Sequence, residues 1–174
     1  LTKKGHEVVI DDPPRGVNGD CSQVEALFIC VPADTVTDKR TGRAVQDLAI
    51  VKGVLAKYQG SLRTAGTPVF LRTTLLPKTA DNLVKFYKLR IISCPEFLTE
   101  REAEDTMAKQ EILVGGGETP EQHAEISELA GRIFPDKAIV CVRNREAELA
   151  KYAHNVMGSI KVNFFNLVWA YARE

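Results

Sequence analysis

Short, almost wholly apolar runs alternate along this chain with longer stretches in which apolar residues return every three or four positions. The runs are His6 to Asp11 (HEVVID), Ala26 to Val31 (ALFICV), Pro68 to Thr73 (PVFLRT), Leu89 to Cys94 (LRIISC), Glu111 to Val114 and Ala138 to Val142 (AIVCV). They are rich in β-branched or aromatic residues and mostly apolar on both faces, which suits strands of a parallel sheet covered on both sides. The periodic stretches Asp47 to Tyr58, Pro77 to Tyr87 and Pro120 to Phe134 read as helices. The last opens on Thr119-Pro120-Glu121: a capping hydroxyl, a proline at the first helical position and an acid in the first turn. Alternating strand and helix predicts an α/β domain with right-handed crossovers.

From about Arg145 to Glu174 the pattern changes. No proline interrupts it, Gly158 is its only weak helix former, and Leu149, Tyr152 or Ala153, Val156, Ile160, Phe164, Leu167 and Tyr171 recur at three- and four-residue steps. The spacing predicts one amphipathic helix of roughly seven or eight turns. Such a helix outruns a small α/β domain, so it is expected to bridge to another domain or subunit.

Charge alters this picture little. Lys plus Arg and Asp plus Glu are equal at 23 each, so no net field points to a nucleic-acid or membrane partner. No apolar run approaches the roughly 18 residues of a membrane span, and the N-terminal residues lack a signal-peptide core. Cys21, Cys30, Cys94 and Cys141 are scattered, as are the histidines. They are expected to be free thiols in a reducing, cytoplasmic compartment, with no metal site.

Ligands of an open parallel sheet bind beyond the carboxyl ends of its strands. The first run ends in Asp11-Asp12, where a dinucleotide fold places an acid to accept hydrogen bonds from ribose hydroxyls. A turn-forming Asp pair before Pro13-Pro14 explains the same residues equally well. Later strands end in Cys30-Val31-Pro32, in Arg72-Thr73-Thr74 and in Cys94-Pro95-Glu96-Phe97-Leu98-Thr99-Glu100. Glu96 and Glu100 thus lie near the ligand edge as a candidate carboxylate pair, or else open a solvated helix, because Glu102, Glu104 and Asp105 follow. Lys151 and Asn155, at i and i+4, share one helical face. An ammonium and a carboxamide so placed suit an oxygen that gains negative charge, although a surface pair is the commoner arrangement. His154 points elsewhere on the helix.

Taken together, these runs resemble the UDP-glucose/GDP-mannose dehydrogenases. The resemblance rests on Lys4-Gly5-His6-Glu7-Val8-Val9, on Phe28-Ile29-Cys30-Val31-Pro32 with Asp47-Leu48 after a loop, and on Arg72 to Pro77. Its most telling parts are Pro95-Glu96-Phe97-Leu98-x-Glu100 and Glu148-Leu149-x-Lys151-x-x-x-Asn155. It implies a Rossmann-like, mostly parallel sheet over 1–143, followed over 144–174 by a long helix that begins a central all-α dimerisation domain. It also implies oxidation of the C6 hydroxyl of a nucleotide sugar to a carboxylate in two NAD-dependent hydride transfers, through a cysteine thiohemiacetal and thioester. Carried over, Asp11 (with Asp12 as neighbouring candidate) would hold the adenosine ribose, and Val31, Pro32, Thr74 and Glu100 would contact the cofactor. Glu96 would be the base for thioester hydrolysis. Lys151 and Asn155 would stabilise the oxyanion, and Phe97, Leu98 and Glu100 would meet the sugar nucleotide.

Departures accompany the likeness. The family's first strand with its GxGxxG turn is expected before Leu1, and its cysteine segment after Glu174, so the chain reads as a piece of a longer protein. In the order 3-2-1-4-5-6 that first strand is central, and without it two apolar strands keep unpaired edges. Lys78 and Arg101 stand where the family usually has glycine, and the stretch from Pro13 to Gln23 is short. Two other readings remain open: a β-hydroxyacid dehydrogenase, which also uses a Lys-x-x-x-Asn pair, and a non-catalytic remnant or dimerisation module.

Overall fold

The computed structural model describes residues 5–97 and 112–173. The chain begins with β1 (Asp11–Asp12), a single 3-10 turn (Pro13–Arg15) and β2 (Val17–Asn18), and continues through β3 (Leu27–Ile29), β4 (Thr35–Thr37) and β5 (Ala44–Gln46). Then follow α1 (Ala49–Ala65), β6 (Val69–Leu71), α2 (Thr79–Tyr87) and β7 (Ile91–Ser93). After the undescribed stretch come β8 (Ile112–Gly115), α3 (Pro120–Ile133), β9 (Ile139–Val142) and α4 (Asn144–Tyr171).

The α/β architecture is as expected. Strands β3, β6 and β7 pair in parallel in that order, with Phe28 opposite Phe70 and Phe70 opposite Ile92. Alternate residues serve opposite faces. Leu27, Ile29, Val69, Leu71 and Ile91 share a core with Val51, Leu55, Tyr58 and Leu62 of α1 and with Leu83 of α2. Phe70 and Ile92 turn instead to Ile112 and Val114 of β8 and to Ile126 and Ala130 of α3. Phe28 stacks on Phe70 at 4.9 Å and meets Phe134 edge-on at 6.0 Å. Covering both faces leaves no polar side, which is why these runs carry no alternation.

The helices follow their signals with shifted ends. The predicted cap at α3 forms, and Gln122 completes it as a box: Thr119 Oγ1 accepts from Gln122 N, and Gln122 Oε1 accepts from Thr119 N. Helix α1 runs past Tyr58 until Gly66 turns left-handed at φ 66° and bonds the Arg63 and Leu62 carbonyls. Helix α2 begins at Thr79 rather than Pro77, because Lys78 before it is itself left-handed at φ 78°.

Three expectations need correction. First, of the run 6–11 only Asp11 joins a ladder, and it does so with Asp12 in an antiparallel pair with β2. Residues Val8, Val9 and Ile10 stay 40–58% exposed, because no described strand offers them an edge. Second, the polar stretch between Val31 and Asp47 contains an antiparallel hairpin, β4 with β5. Its turn is built by Asp38, whose Oδ1 accepts from the Arg40 and Thr41 amides. Third, the packed stripe of α4 is Asn144, Ala147, Glu148 and Lys151, not the one through Leu149, which is 57% exposed. Beyond Tyr152 every described residue of α4 is exposed. No described helix is long and apolar enough to cross a membrane.

The start of α4 ties the sheet together. Strands β8 and β9 form their own parallel pair. The free edge of β7 is taken by Asn144, which accepts from Ser93 N at 2.8 Å and donates to the Ile91 carbonyl at 3.3 Å. Helix α4 also approaches the end of β8 closely because residue 115 is glycine: a Cβ there would lie 2.7 Å from Asn144 Cα.

Candidate functional site

The carboxyl ends of β3, β6 and β7 open into a cleft of about 340 Å³, lined by residues 30–34, 72–74 and Glu96. Hydrogen bonds fix its walls. Arg72 N donates to the Ile29 carbonyl at 2.9 Å, and Thr73 Oγ1 donates to the Val31 carbonyl at 2.7 Å. Gln46, at the end of β5, spans the rim. Its Nε2 donates to the carbonyls of Thr74 at 2.7 Å and Ala33 at 3.3 Å, while its Oε1 accepts from Leu76 N at 3.0 Å. Val31, Pro32 and Thr74 are therefore presented by clamped backbone.

Charge converges at the β6 and β7 end of the cleft. Arg72 is buried, with Nη2 3.3 Å from Glu96 Oε2 and Nη1 3.4 Å from Cys94 Sγ. Burial opposes its charge, yet the Cys94 sulfur, Glu96 and Cys30 around it hold its pKa above the usual arginine value. Burial likewise pushes the Cys94 and Cys30 thiols up, against the pull of Arg72. All four cysteines are free thiols, as expected.

Lys151 reaches the same region from α4. It is 8% exposed, and its Nζ lies 5.4 Å from the centre of the Phe97 ring. Burial lowers its pKa, Arg72 lowers it further, and Glu96 opposes both. His154, expected to point elsewhere, also meets Phe97, edge-on at 5.2 Å, so Lys151 and His154 of α4 both contact the loop after β7. Asn155 lies one turn beyond Lys151 and is exposed. Leu98, Glu100 and Arg101 lie outside the described residues.

One turn before Lys151, Glu148 is buried and accepts from Lys78 N at 2.7 Å and Ala80 N at 2.8 Å, which caps α2. Burial pushes its pKa up to about 7, Asp81 adds to this, and the backbone donors Ala80, Lys78 and Thr79 oppose it. A single carboxylate thereby locks the helix carrying Lys151 to the turn that follows Thr74.

Asp11 stands apart from the cleft. Its Oδ2 accepts from Lys57 Nζ and Tyr58 Oη, each at 2.7 Å. Those bonds, Lys57 first, lower its pKa. Its Oδ1 is buried with no hydrogen-bond partner.

Sequence reasoning thus places Val31, Pro32, Thr74 and Glu96 in one cleft, with Lys151 beside it, but not Asp11. It missed Gln46, which carries no local signal. It also gave no role to Arg72, although a charge closing an apolar strand is itself a signal, nor to Glu148, although it sits three residues before Lys151 on the packed face.

Parallel strands covered on both faces, with a polar cleft at their carboxyl ends, define a Rossmann-like domain of the dehydrogenase type. The chain belongs to the UDP-glucose/GDP-mannose dehydrogenase family, whose NAD binding domain matches residues 16–134. It is 31% identical over 157 residues to UDP-glucose 6-dehydrogenase 2 of Oryza sativa subsp. japonica, covering 83% of this chain and 32% of that one. With the UDP-glucose 6-dehydrogenase of Drosophila melanogaster the identity is 26% over 157 residues, covering 83% and 33%. The GDP-mannose dehydrogenase of Pseudomonas aeruginosa superposes with a TM-score of 0.64 at 25% identity, over 80% of this chain and 33% of that one. A UDP-glucose dehydrogenase from Pyrobaculum islandicum shares the fold at a TM-score of 0.73 and 24% identity, over 96% and 38%. The chain spans about a third of the length of the curated relatives it matches.

The residues present fit part of a dinucleotide. The cleft offers the clamped backbone of Val31, Pro32 and Thr74, while Asp11, apart from it, keeps Oδ1 buried without a donor. No GxGxxG occurs in the 174 residues, so the described site is the strand-end part and not a phosphate loop.

Proposed function

We propose that this chain forms the cofactor-binding part of an NAD-dependent enzyme that oxidises the C6 hydroxyl of a nucleotide sugar, UDP-glucose or a close analogue, to the carboxylate. The observation that carries this reading is the buried ammonium of Lys151 against Phe97, beside Glu96, at the carboxyl edge of a parallel sheet. A desolvated cation next to a carboxylate suits a reaction that builds negative charge on oxygen and also needs a base.

In this reading NAD supplies the hydride acceptor, held by Val31, Pro32 and Thr74, with Asp11 and Glu100 as further contacts. Asp11 serves only if Oδ1 becomes accessible, since Oδ2 is taken by Lys57 and Tyr58. Phe97 and Leu98 present the loop after β7 to the sugar nucleotide. Lys151 and Asn155 stabilise the oxyanion, for which Asn155 must be covered by substrate or by further protein. Glu96 takes a proton from the water that hydrolyses a thioester formed on an enzyme cysteine other than Cys21, Cys30, Cys94 and Cys141. Residues 1–143 would be the cofactor unit and 144–174 the start of a central helical domain, with α4 pairing two subunits. Free thiols are consistent with the cytoplasm.

The test is NADH formation by the protein made from its complete gene, given UDP-glucose, other nucleotide sugars or 3-hydroxyisobutyrate. Two NADH per nucleotide sugar are expected, and Glu96→Gln should slow steady turnover by about 10²–10⁴-fold. Turnover of 3-hydroxyisobutyrate alone would replace this reading with the β-hydroxyacid one. No NADH from any of them would leave a non-catalytic module.

A further inference from the structure

We propose that Arg72 is a positioning residue for Glu96, a role that deepens the nucleotide-sugar reading and rests on it. Arg72 follows directly on β6, with its side chain 7% exposed, whereas the Glu96 side chain is 45% exposed. A guanidinium at that depth must find acceptors for its N–H groups. It has the Glu96 carboxylate on one arm and the Cys94 sulfur on the other. The sheet sets its position from both sides, because Arg72 N bonds the Ile29 carbonyl and Cys94 N bonds the Leu71 carbonyl.

The asymmetry in burial decides which partner depends on the other. Arg72 is fixed by the ladder and by packing, while Glu96 stands half in water on a loop and owes its orientation to Arg72. The pair engages Oε2, which leaves Oε1 to face an attacking water. In the hydrolytic step, water adds to the thioester carbonyl and the carbon–sulfur bond breaks. One water proton passes to Glu96, and the thiolate leaves. The hydride transfers precede this step and do not need that base.

A purely structural ion pair would behave differently. Glu96 is already solvated, so removing Arg72 strands no buried charge, and an apolar side chain of similar length is tolerated in such places. The experiment is rapid-mixing measurement of NADH formation in the complete gene product, comparing the native protein with Arg72→Met and Arg72→Lys. For Arg72→Met, the first-turnover NADH burst should fall several-fold less than steady-state turnover, because the lost contact acts on Glu96 and the hydride transfers precede the step that uses it. Steady-state turnover should fall about 10–100-fold, the effect of letting a reacting group drift by about an ångström. Arg72→Lys should recover most of that loss, since it keeps a cation beside Glu96. A burst and a steady rate that fall together, or a steady rate that does not change, would overturn the proposal. A native protein that forms no NADH with any nucleotide sugar would instead remove the parent reading, and this one with it.

Discussion

Lys78 occupies a backbone conformation that glycine adopts freely and lysine does not. Its φ of 78° places it in the left-handed region, immediately before α2, where a side chain costs roughly 1–2 kcal/mol. Glu148 holds it there by accepting its amide. Replacing Lys78 with glycine should therefore stabilise the domain. The net gain should be about 0.5–1 kcal/mol, because glycine also adds roughly 0.4–1 kcal/mol of freedom to the unfolded chain. Urea denaturation of Lys78→Gly would show a higher midpoint at unchanged slope; an equal or lower midpoint would mean the strain is relieved elsewhere. At this scale the sequence was partly legible. The usual glycine at position 78 was apparent from the resemblance, and Glu96 and Lys151 stood out as charges beside strand and helix ends. Gln46 and Asn144 did not, because a carboxamide that satisfies someone else's backbone looks like any other polar residue until its partners are known.

The contact between α2 and α4 depends on one carboxylate, and so should respond to pH. Glu148 titrates near 7 in the fold against 4.5 in a model peptide, chiefly because burial penalises its charge. Between those values the folded protein holds a proton that the unfolded chain has released. Its contribution is therefore fully present below pH 4.5 and is lost as pH rises toward 7. Glu148→Gln should abolish that slope. It should also destabilise the domain by about 1–3 kcal/mol, since an amide can accept through only one of its two polar atoms and leaves a buried N–H unmet. Denaturation midpoints across this pH range test both; an unchanged slope in Glu148→Gln would assign the pH dependence to another group. Element identities were legible wherever pattern and chemistry agreed, as at the Thr119 box of α3. They failed where packing ran against hydrophobicity. Helix α4 docks through Asn144, Ala147, Glu148 and Lys151, while its apolar residues face outward. The β4–β5 hairpin was overlooked because its strands are short and polar, although Thr35-Val36-Thr37 and Ala44-Val45-Gln46 flank a turn-forming Asp38 and Gly42.

Across the whole molecule the distribution of apolar surface is uneven. Val8, Val9 and Ile10 are 40–58% exposed, and Ile160, Phe164, Phe165, Leu167 and Trp169 are 55–72% exposed along α4. A row of exposed apolar side chains along one helix favours association. If α4 is the pairing element proposed above, these 174 residues should self-associate in solution, and Phe165→Glu with Trp169→Glu should shift them toward monomer. The melting temperature of the α/β core, which those residues do not touch, should hardly move. Light scattering over a concentration series would decide the matter; a native chain that is monomeric throughout would remove α4 as a self-pairing element. The α/β class was legible from alternation alone, because covering both faces of a parallel sheet leaves a pattern along the chain. The sheet's division into separate pieces was not, since it depends on which edges find a partner.

The Asn144 bridge to β7 makes one amide proton informative about something other than the sheet. Ser93 N–H is held by a side chain from α4, while its neighbour at Cys94 is held by the ladder with β6. Deuterium uptake at Ser93 is therefore governed by lifting of the helix, and uptake at Cys94 by opening of the strands. The ratio of two adjacent rates becomes a clock for helix undocking, built into the backbone a few residues from Glu96.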